Sequence, residues 1–158
     1  MKEEKTFKNC AVYAWSKLTD SGTRYIVDVK ILNRVYNIAK KDDYKKAEKL
    51  YDKLTTIVKN IDEMLMDINN VLSKYNVGQI WKIIKAHKPT FIVKTQYGIL
   101  FMTIDGKAEL GPKIPEKIKE NVQHAMKSIN ELLGTKYKKA ATDLFHIVGG
   151  PCGVDIFV

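Results

Sequence analysis

The sequence predicts an α+β protein in which one long heptad-patterned helix, about 44–75, and two C-terminal helices pack on a small, mainly antiparallel sheet. Three observations carry that expectation. Ala47, Tyr51, Leu54, Val58, Ile61, Leu65, Ile68, Leu72 and Tyr75 step by alternating fours and threes with no Pro or Gly between them, the 3.5-residue period of a coiled-coil seam. Two other regions, 24–31 and 90–104, are β-rich, the first alternating apolar and polar residues. Finally, Pro115 with Gly134, and Thr135 with the Gly149, Gly150, Pro151 run, bracket two further helical patterns.

Taken in order, residues 1–5 read as a flexible N-terminus. Phe7, Cys10, Ala11, Ala14, Trp15 and Leu18 recur at helical spacing, with Val12 and Tyr13 blurring the pattern toward a strand. A turn at Asp20, Ser21 and Gly22 precedes a half-buried strand through Tyr25, Val27, Val29 and Ile31. Residues 32–39 suit either an extension of that strand or a helix start. In the long helix a third apolar column, Leu50, Ile57, Met64 and Val71, widens the stripe. An unbroken helix of that span is about 48 Å long, against a globule about 40 Å across for a chain of this size. After Asn76 and Gly78, the spacing of Ile80, Trp81, Ile83 and Ile84 predicts a short helix that buries Trp81 and ends at Pro89. Asp105-Gly106 is a type I′ hairpin signal, 111–115 a short internal linker, and 154–158 a candidate strand. The whole of 1–158 reads as one domain.

The chain has 158 residues, 45% of them apolar and 28% charged, which excludes a disordered or disulfide-scaffold protein. No stretch approaches the length of a membrane span and the first residues lack a secretory signal, so the expectation is a cytoplasmic protein with no membrane partner. Cys10 and Cys152 are too few for a disulfide framework and have no metal-ligand spacing. There is no phosphate loop, dinucleotide fingerprint or serine elbow, and no cofactor is implied. His146 and Cys152 lie beside a glycine-rich loop without a third orienting group. Glu120 with His124 and Asp143 with His146 each make only half a metal site. Acids such as Asp62 and Glu63 read as a solvated face.

The net charge of +9 points to polyanions, although 25 of the 27 basic residues are lysine, in a chain rich in Ile, Asn and Tyr as AT-rich coding produces. Lysine contacts phosphate as a point charge and reads bases poorly, so any nucleic-acid contact is expected to be sequence-tolerant. Between Asp67 and Asp105 there is no acidic residue, while Lys74, Lys82, Lys85, Lys88 and Lys94 alternate with aromatic side chains. That pattern suits a single-strand groove. The expected function is therefore non-enzymatic, self-associating nucleic-acid binding, with phosphate contacts from Lys82, Lys85, Lys88 and Lys94 and base stacking on Phe91 or Tyr97. The wide helical stripe predicts a homo-oligomer, a dimer first, with Leu54, Val58, Ile61, Leu65, Ile68 and Leu72 at the interface. The alternative is a protein-interaction module that docks a partner through the same helix.

Overall fold

A computed structural model describes residues 2–86, 88–149 and 157. It is α+β, with two four-stranded antiparallel meanders and three helices. The first sheet runs β1 (Lys2–Thr6), β2 (Cys10–Thr19), β3 (Gly22–Ile31) and β4 (Arg34–Lys41), neighbours in sequence pairing throughout. Helix α1 (Tyr44–Lys74) follows, and then the second sheet, β5 (Gln79–Lys85), β6 (Pro89–Thr95), β7 (Gly98–Thr103) and β8 (Ala108–Leu110). Helices α2 (Glu116–Gly134) and α3 (Lys138–Val148) close the described chain. No described helix is long and apolar enough to cross a membrane.

The long helix is where the sequence places it. Asp43 caps it, its carboxylate accepting from the Lys45 N–H at 2.8 Å, and 31 residues then run unbroken over about 46 Å. What covers its apolar stripe differs from expectation. Leu54, Val58, Ile61, Leu65, Ile68 and Leu72 are each wholly buried within the single chain. They pack under β2, β3, α2, α3 and β5. Two sheets cover more of a helix than the one small sheet inferred from sequence, so no leftover surface calls for a second copy. The stripe is core, neither a coiled-coil seam nor a docking face.

Three short segments also correct the sequence reading. Residues 2–5 of the N-terminus expected to be flexible (1–5) lie in β1 at the sheet edge. Residues 10–19 are strand β2, not helix: Cys10, Val12 and Ala14 face the core while Tyr13 and Trp15 face out, the period-2 pattern that Val12 and Tyr13 had signalled. Residues 79–85 are strand β5. A bulge at Trp81 breaks the register between Ile80 and Lys82, so Ile80 and Ile83 both point inward three residues apart and imitate a helix.

The turns differ in detail. Gly106 has φ +85° and its N–H donates to the Thr103 carbonyl, but Asp105 has no positive φ. The loop is therefore a three-residue hairpin with glycine at the bulge position, and not type I′. Gly134 stays helical, and the Thr135 hydroxyl donates to the Glu131 carbonyl instead of capping α3, whose N-cap is Tyr137. Gly78 is required by close approach, since a Cβ there would lie 2.0 Å from the Lys94 carbonyl oxygen. The strand expected at 154–158, and Cys152 with it, lie outside the described residues except for Phe157.

Candidate functional site

Side-chain placement on the second sheet follows from its register. Ile83, Phe91 and Met102 form one cross-strand row, and Ile80, Val93, Leu100 and Leu110 another; both turn inward toward the helices. Lys82, Ile92, Phe101 and Glu109 form the row between them, on the solvent face. Phe91 is 1% exposed and belongs to the core, so its ring cannot stack on a base as the sequence suggested. Tyr97, in the β6–β7 turn, is half-buried on the α2 side, where Lys117 Nζ lies 5.5 Å from its ring centre.

Of the two aromatic residues on the open face, Phe101 is half-buried and Trp81 is exposed with lysines against its ring. The β5 bulge that interrupts pairing lets Trp81 and Lys82 both face solvent in succession. Trp81 is 49% exposed, with Lys82 Nζ at 4.1 Å and Lys94 Nζ at 5.1 Å from its ring centre. Two ammonium groups on one indole are each attracted to its negative face by about 0.5–1 kcal/mol at an exposed site. Sequence reasoning buried Trp81 because it read the bulged strand as a helix. The available signal was Trp-Lys flanked by isoleucines on both sides.

Lys85 and Lys88 sit at the far end of β5 and the β5–β6 turn. Lys88 is not free: its ammonium pairs with Asp105 at 2.5 Å. That hydrogen bond, with one from Thr103, holds the Asp105 carboxyl below the ordinary carboxylate range. The stretch between Asp67 and Asp105 is free of acids in sequence but not in space, and of the four lysines expected to meet phosphate only Lys82 and Lys94 join Trp81.

The Trp81 face continues onto the first sheet. The β3–β4 turn meets β5 where Asn33 Oδ1 accepts the Ile83 N–H at 3.0 Å. At this junction is a groove of about 410 Å³, bordered by Trp81, by Tyr13 and Lys30 from the outer face of the first sheet, and by Lys8 and Asn9 from the β1–β2 turn. Lys8 and Lys30 are exposed and Tyr13 is half-buried. The sequence reading named none of these as site residues.

The groove wall is tied to the interior by Asp62. This carboxylate, expected on a solvated face, is 5% exposed in the middle of α1 and accepts the Asn9 N–H at 2.6 Å. It also neighbours Cys10, whose thiol is pushed well above its ordinary pKa, by burial first and by the Asp62 charge second. Cys10 is thus an inert buried side chain. Of the half-sites weighed from sequence, Glu120 pairs with His124 at 3.6 Å and Asp143 with Lys139 at 2.8 Å. Comparisons of the chain with protein-family models, with curated proteins and with solved structures found no match.

Proposed function

We propose that this chain binds nucleic acid with little sequence preference, through the face that carries Trp81. The observation that carries the reading is an exposed indole held between Lys82 and Lys94 on an open sheet face, beside a groove with Lys8 and Lys30 at its rim. Exposed aromatic rings supply a surface for any base and lysines supply charge for the backbone, a combination that binds without reading sequence. Arginine forks, which read guanine edges bidentately, are scarce: the chain has only Arg24 and Arg34, and neither lines the groove. Compared with the expectation from sequence, Trp81 replaces Phe91 and Tyr97 as the stacking group, and Lys8 and Lys30 replace Lys85 and Lys88. Avidity from a dimer has no part in it, because the stripe that suggested one is buried.

Titration of a labelled single-stranded oligonucleotide at several salt concentrations tests the proposal. Four phosphate contacts on a single strand give a log-log slope of about −3. A slope near zero, or no binding at about 50 mM salt, overturns it.

A protein-interaction role is favoured by a separate observation at the other end of the same sheet. There Ile84, Phe101, Thr103 and Ala108 line an open, mainly apolar trough of about 570 Å³ rimmed by Lys88 and Lys107. On that reading the docking surface is the second sheet and not α1.

A further inference from the structure

We infer that the groove between the two sheets is a pocket for one unpaired base, so that the partner is single-stranded and its bases, not its charge alone, are bound. The inference rests on the nucleic-acid reading and extends it from a charged face to a defined subsite.

Two observations converge there. First, the aromatic side chains lining the groove come from both sheets, Phe7 and Tyr13 from the first and Trp81 from the second. Neither sheet alone supplies all three, and a base in the groove has aromatic rings in its lining. Second, the charged residues of the border, Lys8 and Lys30, are both cationic, and Lys82 and Lys94 continue the positive charge past Trp81. A phosphodiester on either side of the inserted base therefore has a lysine to meet.

Size and shape select the ligand. At about 410 Å³ the groove lies at the small end of the range for ligand pockets, roughly 300–1,000 Å³. It has room for a base and its sugar and none for a duplex, whose bases are in any case stacked on one another and face away from a protein surface.

The experiment uses the full chain carrying Trp15→Phe, which leaves Trp81 as the only tryptophan and alters no groove residue. Its emission is followed while oligothymidylate, or an abasic oligodeoxynucleotide of equal length and charge, is added at low salt. The expected result is quenching of Trp81 by oligothymidylate and binding of the abasic strand about tenfold weaker without quenching, as loss of one stacked base predicts. Trp81→Phe, followed by anisotropy, should keep the preference for the strand with bases, and Trp81→Ala should lose it. If both strands bind equally, or if Trp81→Ala retains the preference, the groove is not a base pocket although the charged face still binds nucleic acid. If neither strand binds, both readings fall.

Discussion

The two sheets share a topology, and each exposes one tryptophan among basic residues, yet the two tryptophans have different surroundings. On the first sheet, Trp15 Nε1 donates to Asp28 Oδ2 at 2.8 Å, and Asn37 Nδ2 donates to Asp28 Oδ1 at 2.9 Å. The indole is locked by a carboxylate, and Lys17, Arg24 and Lys40 border the same patch of surface. On the second sheet, Trp81 is flanked by Lys82 and Lys94 and, among the described residues, its Nε1 has no such acceptor; the carboxylate of that face, Glu109, lies three strands away. A basic face with its own counter-charge is complete in water. One without it gains by meeting an anion, because two like charges near one ring repel until a third group neutralises them. The same residue types thus describe a structural network in one sheet and an anion-receptive surface in the other.

The largest expected effect tests whether the two sheets stand or fall together. Leu65→Asp places a charge among wholly buried side chains of α1, and its cost exceeds about 4 kcal/mol, enough to unfold the chain. Trp15 and Trp81 should report that loss in one transition under denaturant; two separate transitions would mean that the sheets hold independently. Next comes binding. Reversing Lys82 and Lys94 to Glu should weaken oligonucleotide affinity by tenfold or more at low salt, whereas reversing Lys17 and Arg24 should change it by less than about threefold. Equal losses would erase the distinction between the faces. A smaller effect concerns the Trp15 network. Asp28→Ala removes the acceptor of two exposed hydrogen bonds and should cost about 1–2 kcal/mol by equilibrium unfolding, without weakening nucleic-acid binding.

The smallest effect is a pH dependence at the far end of the second sheet. Asp105 has a lowered pKa in the folded chain, so its pair with Lys88 contributes stability above the unfolded value of about 3.9 and loses it as pH falls through the folded value. Both side chains are substantially exposed, and the contribution is below about 1 kcal/mol. Asp105→Asn should flatten the acid limb of the stability profile by that amount, measured by denaturant midpoints between neutral pH and pH about 3.

Most of the fold was legible because long periodic patterns survive any local ambiguity. The α1 stripe, the alternation at 24–31 and the Pro-bracketed α2 each bury one face, and the sequence shows which. Failures fell where two periods coincide. In β2, Ala11 is small enough to be buried by its neighbours on the outer face, so Cys10, Ala11 and Ala14 look helical in a strand. In β5, a single extra residue did the same and moved Trp81 from an inferred core to the surface. The site failed for a further reason: Tyr13, Lys30 and Lys8 are distant from Trp81 in sequence, and their meeting depends on how the β3–β4 turn meets β5 through Asn33 and Ile83. No linear pattern encodes that junction. The covering of α1 was equally hidden, since the width of a stripe states how much must be buried and not what buries it.

The outermost strand of the first sheet carries one more consequence. β1 reads Lys-Glu-Glu-Lys-Thr and leaves most of its residues in water, with charges of both signs along its length. Its outer backbone edge, unpaired among the described residues, offers hydrogen bonds to any passing strand, but a chain adding there must bring its own side chains alongside both ammonium and carboxylate groups without losing their hydration. That edge is therefore a poor template for fibre growth between copies of the folded chain.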